Sequence, residues 1–411
     1  MDIFDFIEDK HYDYEKALKH RPIKLFEAFA GIGCQAMALN KLQIPYESVG
    51  ISEIDKYAIL SYNAIHGETK NYGDICKMKE IPKCDIFTWS FPCTDLSKAG
   101  KQAGLTDTRS GLVYEVLRLL QVTTHKPKVL IMENVVDLVQ VKFMAEFYEI
   151  QKEIAALGYT NYTQTINAKH HGVAQNRDRV FMVSILGDYR YEFPPRIKLE
   201  KRLKDYLEDN VVEKYYLSEK QIKGIQNSTF ETTKRRIQEN GVCDTLCARN
   251  YKDPKCVQVA QLDGKHEQTG RVYGSEGLSP TINTCGGGNR EPKILDIGNY
   301  SPSNHSASKI VDKFEDGDCA DISFPNGYNK ANRVNKGFAP AITGTTVKSL
   351  VAKTQLRIRK LTPLECWRLM GIDDEDFYKA QKVVSNSQLY KQAGNGIVVD
   401  VFAQILKGLI Q

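Results

Sequence analysis

Apolar and polar positions divide the chain into a periodic region, a polar middle and a short periodic return. Ile23–Phe29 reads as a strand, runs into Ala30-Gly31-Ile32-Gly33, and gives way to a helical stretch over Gln35–Leu42. The same alternation of element types continues. Ser48–Ser52 is a strand ending at Glu53, and Lys56–Ile65 is a helix. Asp85–Trp89 is a short buried strand that Phe91-Pro92 ends abruptly. Ser110–Gln121 is amphipathic, with Leu112, Val116, Leu119 and Leu120 on one side. Lys128–Met132 and Val180–Leu186 are apolar strands, and Phe143–Leu157 is a helix closing at Gly158. Near-continuous apolar strands alternating with helices predict an α/β fold whose parallel sheet is covered on both faces.

Beyond Tyr189 the pattern changes. Pro194-Pro195 marks a boundary, and the following stretch is rich in Gly, Asn, Thr and Lys with little helical period. A faint repeat runs through it: Asp244–Ala248, Ser279–Asn283 and Ala339–Thr343 resemble one another, with Arg271 and Arg333 at similar distances ahead of the last two. Short strands and loops are expected here. Helical character returns at Leu361–Gly371, where Thr362 can cap a helix with Pro363 at its first position and Glu365 at its third. Gln392-Ala393-Gly394-Asn395-Gly396 and a helix over Val398–Leu409 close the chain. The expected domains are a leader over 1–21, an α/β domain over 22–189, an insert over 190–355 and a segment over 356–411 that completes the α/β domain.

Composition narrows the class. The 411 residues are 42% hydrophobic, enough for a sizeable core, and exceed one typical domain. The ten cysteines are scattered, and no signal peptide or bilayer-length apolar run is present, so a cytoplasmic enzyme with free thiols is expected. Cys243, Cys247 and Cys256 match no zinc spacing, so no metal is expected. A net charge of +5 permits a polyanionic partner without demonstrating one.

The candidate chemistry collects at strand ends. Phe29, Ala30, Gly31, Ile32 and Gly33 form a strand–turn–helix cradle for a nucleotide-type ligand, although a tight turn alone would also use two glycines. The third glycine of the dinucleotide motif is absent. Glu53, some twenty positions on, stands where such folds bind ribose hydroxyls, and Gly73-Asp74-Ile75 could sit beside an adenine ring. Cys93, after Pro92 at a strand end, is placed either as a nucleophile or as a buried structural thiol. The next strand delivers Glu133 to the same edge, and alternation puts Gln175, Arg177 and Arg179 on one face.

Six of these motifs occur in the order of the C5-cytosine DNA methyltransferase family, which the chain resembles over roughly 250 residues. Phe29–Gly33 is similar to its cofactor motif and Phe91-Pro92-Cys93 to its catalytic motif. Glu133-Asn134-Val135, Gln175-x-Arg177-x-Arg179, Leu361-Thr362-Pro363 with Arg368-Leu369, and Gln392–Asn395 follow. The resemblance implies a Rossmann-like domain binding S-adenosylmethionine through Phe29–Gly33, Glu53, Asp74, Ile75, Pro92 and Asn395. It implies Cys93, Glu133, Arg177 and Arg179 as catalytic residues. The insert would be a target-recognition domain on double-stranded DNA, with Arg249, Arg271, Arg290 and Arg333 as candidates for reading bases. A monomer is expected, and a cognate restriction endonuclease encoded nearby is the protein partner the resemblance suggests. Three positions depart from the family pattern: Cys34 stands where a further glycine is usual, Thr94 where Gln is, and Gly396 where Ser is. Rival readings are a tRNA-directed relative, a dinucleotide-dependent oxidoreductase and a catalytically silent DNA-binding regulator. The size of the insert disfavours the first, the absent glycine the second, and intact Cys93, Glu133 and Arg179 the third.

Overall fold

The computed structural model describes residues 21–92, 111–216 and 354–410, with short segments between 258 and 351. The leader therefore falls outside the described residues, apart from Arg21. So do Cys93, Thr94, Arg249, Arg290 and Arg333. Among the described residues no helix is long and apolar enough to cross a membrane.

A six-stranded sheet carries the structure: β1 (Ile23–Ala28), β2 (Tyr46–Ser52), β3 (Ile86–Trp89), β4 (Val129–Val135), β5 (Tyr159–Asn167) and β6 (Asp178–Leu186). Their spatial order is β2-β1-β3-β4-β6-β5. The first four are parallel, and β6 runs antiparallel to both β4 and β5. The chain leaves β1 for β2 on one side and returns to β3 on the other. That makes β1/β3 the switch point, beyond whose strand ends a ligand crevice opens.

Strand alternation feeds two cores. Ile23, Leu25, Val129, Ile131, Phe181 and Val183 face one side, packed with α1 (Cys34–Lys41) and the C-terminal helices. Phe26, Phe87, Trp89, Leu130 and Met132 face the other. There they meet α3 (Leu112–Val122) and α4 (Met144–Ala156), while α2 (Lys56–His66) follows β2. The expected apolar face of α3 is the buried one, with Val116, Leu119 and Leu120 all at 0% exposure.

β5 is an addition to the pattern read from sequence. Its residues, Tyr-Thr-Asn-Tyr-Thr-Gln-Thr-Ile-Asn, are largely polar because it is an edge strand buried only near its ends.

Among the described residues between 217 and 360 the backbone is extended. β7 (Gln258–Gln261), β8 (Arg271–Gly274), β9 (Lys293–Asn299) and β13 (Thr354–Lys360) form a sheet ordered β13-β9-β8-β7. β10 (Cys319–Asp321), β11 (Val334–Asn335) and β12 (Ser349–Val351) form another. Arg271 opens β8.

Four helices follow: α5 (Pro363–Arg368), α6 (Asp374–Gln381), α7 (Asn386–Asn395) and α8 (Val399–Ile410). The capping box at α5 is present, with Thr362 accepting from the Glu365 amide and Glu365 from the Thr362 amide. Trp367, Phe402 and Leu409 from these helices share one core with Met37 and Leu39 of α1. Leu203 and Tyr206, inside the stretch assigned to the insert, are buried there too.

Candidate active site

The turn after β1 uses its two glycines for different reasons. Gly31, at φ +58°, has open space where a Cβ would stand and lines the cleft. Gly33, at φ +78°, is absent from the cleft wall; a Cβ there would lie 2.4 Å from His66 Nε2 and 2.7 Å from the Tyr62 ring. One glycine leaves room for a ligand and the other lets α2 pack against the turn. Phe29 also holds a positive φ of 54°, a strained conformation for a non-glycine residue.

Glu53 braces this turn. Its carboxylate accepts from the Gly31 amide at 2.9 Å and from the Ile54 and Asp55 amides at 2.8 Å each. Three of about four acceptor sites on the carboxylate are thereby used, with capacity left for a hydroxyl. Asp74 accepts from the Cys76 amide at 3.0 Å and caps a short turn that brings Ile75 to the same wall. Ser52 Oγ donates to the Gly73 carbonyl at 2.7 Å, tying that turn to the end of β2.

At the neighbouring edge Glu133 lies within β4, paired with Phe181, and Arg179 pairs with Val135 across β4 and β6. Their side chains meet diagonally, Arg179 Nε to Glu133 Oε1 at 3.0 Å. Burial holds the Glu133 carboxyl above the usual carboxylate range, against the opposing charges of Arg179 and Arg177. Asn134 donates to the Phe91 carbonyl at 3.1 Å, fixing the segment that leads to Pro92 against β4. Sequence reading placed Asn134 in a motif without giving it this task.

Arg177 is 3% exposed and donates to the carbonyls of Gly394 at 3.1 Å and Gly396 at 2.8 Å. Its guanidinium thus ties this loop to the C-terminal segment. Gln175 acts likewise, donating to the Leu369 carbonyl at 2.7 Å. Of the three residues expected to alternate on one strand face, Arg179 alone lies in β6, and the other two stitch separate parts of the chain together.

From the far side, Lys391 pairs with Asp55 at 2.6 Å, and the Gln392 amide donates to the Tyr57 carbonyl at 3.0 Å. These contacts dock α7 on α2. The result is one cleft of about 350 Å³. Its wall includes Phe29, Ala30, Gly31, Ile32, Glu53, Asp74, Ile75 and Pro92, and continues through Glu133, Arg177, Arg179 and Asn395. Cys34, Gln35 and Gly396, which were not singled out as site residues, line it as well.

A glycine turn and an acidic strand end at the switch point of a mainly parallel sheet define a Rossmann-like α/β domain with a nucleoside-type cleft. The chain superposes on a methyltransferase of Entamoeba histolytica with a TM-score of 0.61 and 16% identity, covering 95% of this chain and 98% of that one. It superposes on the Schizosaccharomyces pombe Dnmt2 methyltransferase at 0.59 and 17%, covering 94% and 98%. At such identities the likeness shows the fold, that of Rossmann-like methyltransferases.

Residues 23–411 match the C-5 cytosine-specific DNA methylase family, and the chain belongs to it. Its relatives include the orphan methyltransferase M.SPBetaI of Bacillus phage SPbeta, 33% identical over 94% of this chain and 97% of that protein. Another is the type II methyltransferase M2.ScrFI of Lactococcus lactis subsp. cremoris, 29% identical over 95% and 99%.

Proposed function

We propose that the protein methylates carbon 5 of a cytosine in double-stranded DNA, with S-adenosylmethionine as methyl donor. The observation that carries this reading is one shared cleft. It joins a nucleoside cradle, Gly31 and Glu53, to an acid–guanidinium pair, Glu133 and Arg179, on the wall that also includes Pro92.

The residues fit the cofactor. Gly31 leaves open the space a side chain would fill, Glu53 retains acceptor capacity for a ribose hydroxyl, and Asp74 with Ile75 forms a wall for an adenine. Bound there, S-adenosylmethionine supplies an electrophilic methyl group.

The remaining chemistry belongs to the chain. Carbon 5 of cytosine is a weak nucleophile until something adds at carbon 6, and a thiolate suits that role because it attacks readily and can leave again. Cys93, next to Pro92 in sequence, is the residue we assign to it. Glu133 would hold the ring nitrogen N3 and the exocyclic amine, and its raised pKa favours the protonated form that can donate to N3. Arg179 would bind the O2 oxygen with the guanidinium face not engaged by Glu133. Arg177 contributes charge to the same wall while holding the C-terminal turn. A base inside a duplex cannot reach such a pocket, so the cytosine must be flipped out, at a cost of a few kcal/mol.

Sequence choice we assign to the strand-rich insert, where an Arg such as Arg271 could read guanine in the major groove. Because Leu203 and Tyr206 belong to the catalytic core, the recognition module would start beyond them. We further propose that the protein works as a monomer in the cytoplasm. Its relatives' names, orphan and type II methyltransferase, fit either a solitary enzyme or one with a cognate restriction endonuclease.

Bisulfite sequencing of DNA from cells expressing the protein should show 5-methylcytosine at one recurring sequence. A duplex carrying 5-fluorocytosine there should trap the enzyme as a denaturant-stable adduct, and Cys93→Ser should form none. Adduct formation by Cys93→Ser would falsify the nucleophile assignment, and unmodified DNA would sink the activity itself.

A further inference from the structure

Gly396 follows α7 with φ −69° and ψ 162°, a conformation open to any residue. Its lack of a side chain is therefore a matter of space. A Cβ there would lie 3.2 Å from Cys34 Sγ, 3.2 Å from the Gln392 carbonyl oxygen and 3.6 Å from Met370 Cε. The first two distances are inside the roughly 3.5–4.0 Å at which non-bonded carbon contacts are favourable.

The sulfur occupying that space belongs to the first residue of α1, directly after the glycine turn, and is itself 3% exposed. The backbone of Ile397, on the other chain segment, lies close enough to oppose in part the effect of burial on this thiol. The turn at 394–397 cannot retreat cheaply, because Arg177 grips the Gly394 and Gly396 carbonyls. Both Cys34 and Gly396 line the cleft.

We propose that Cys34 and Gly396 are a size-matched pair that sets the spacing between the cofactor turn and the C-terminal wall. Cys34 is thereby a positioning residue for S-adenosylmethionine. The proposal rests on the cofactor reading above. Burial pushes the Cys34 thiol up to about 12, so it packs as a neutral group and is not a second nucleophile.

The test is calorimetric titration of S-adenosylhomocysteine into the full chain. Failure of the wild-type protein to bind would sink the cofactor reading, and the proposal with it. Given wild-type binding, Gly396→Ala should weaken affinity about tenfold through overpacking, together with a lower melting temperature of the ligand-free protein. Adding Cys34→Ala, which removes the sulfur, should recover about threefold of that. Recovery stays partial because the Gln392 carbonyl is backbone and keeps its place. The KM for the methyl donor should follow the affinity, while kcat and the KM for DNA stay unchanged. Wild-type affinity in Gly396→Ala, or losses that multiply in the double variant, overturn the pairing. Should Gly396→Ala not fold, Cys34→Met presses on the same turn from the α1 side, and unchanged affinity there overturns the proposal equally.

Discussion

Replacing Glu133 by Gln tests the acid–guanidinium pair with little change of shape. The two side chains are 11% and 18% exposed and approach to 3.0 Å. At an effective dielectric constant of about 20 their attraction is roughly 5 kcal/mol before the cost of desolvation. Desolvation offsets much of this, which is why the carboxyl stays above its usual range beside two guanidinium groups. Glu133→Gln leaves the Arg179 charge without its partner, so the folded state should lose about 1–3 kcal/mol. The catalytic loss should be of similar or larger size. Removing one preorganised group from a developing charge typically lowers kcat by about 10²–10³-fold, or about 2.7–4 kcal/mol. The pH dependence follows from the direction of the shift. A carboxyl whose folded-state pKa is raised keeps its proton to higher pH, and the advantage is lost as pH rises through that pKa. If the protonated form donates to the base, single-turnover methyl transfer should fall on the alkaline side in the wild-type enzyme. The amide variant should lack that limb. Retained kcat in Glu133→Gln, or an alkaline limb identical to wild type, refutes the role.

Three further predictions follow from the packing. Tyr62 donates to the fully buried Glu27 at 2.6 Å, and burial pushes the carboxyl up to about 7. Thermal melts should show stability falling as pH rises through that value, by about 1.4 kcal/mol per pH unit at most. Glu27→Gln should flatten the slope, and an unchanged slope would sink the assignment. Glu53→Ala removes the acceptor for three backbone amides, each bond worth about 1.5–3 kcal/mol, and should weaken cofactor binding by at least about tenfold in calorimetry. Unaltered affinity would move the ribose elsewhere. Asn134→Ala frees the Phe91 carbonyl, and the methylation rate should drop far more than cofactor affinity; a lower melting temperature with an intact rate would show a purely structural bond.

What could be read from the sequence is what local pattern determines. β1, the glycine turn and α1 declare themselves because apolar periodicity changes at the two glycines, and the observed ends differ by a residue or two. Glu53 was legible as an acid just past the end of its strand, whereas Glu133, expected beyond a strand ending at Met132, lies inside β4, which continues to Val135 because its antiparallel pairing with β6 extends that far. β5 was not, because an edge strand needs few apolar residues and its polar ones resemble a loop. Helices α6 and α7 escaped for a related reason: in α6 only Phe377 and Ala380 are buried, too few to mark a period. The task of Arg177 was out of reach altogether. Its partners are carbonyls 217 and 219 residues further along, and a carbonyl carries no mark in the sequence.

Those long-range ties join the segments before 216 and after 354 around one cleft. Glu365, at 0% exposure, collects both crossings of the chain. It accepts from both terminal nitrogens of Arg359, at 2.9 and 2.8 Å, where β13 returns from the insert. It also accepts from the Glu208 amide at 2.9 Å, on the outgoing side, and from the Thr362 amide at 2.8 Å. Four donors on one carboxylate satisfy a charge that would otherwise be costly to bury, and removing either ionic partner would leave the other stranded. The same residue is the N3 position of α5, whose following turn receives Gln175 through the Leu369 carbonyl. Gln175 and Arg177 lie in one loop, and Arg177 holds the cleft wall at Gly394 and Gly396. A set of buried and half-buried bonds therefore runs from β13 to the wall of the cleft, beginning with the Arg359–Glu365 pair and continuing through bonds to backbone amides and carbonyls. Such a path fixes the geometry of the cleft through residues on either side of the insert, so the cleft keeps its shape without a contact from a side chain between 217 and 353 in these bonds.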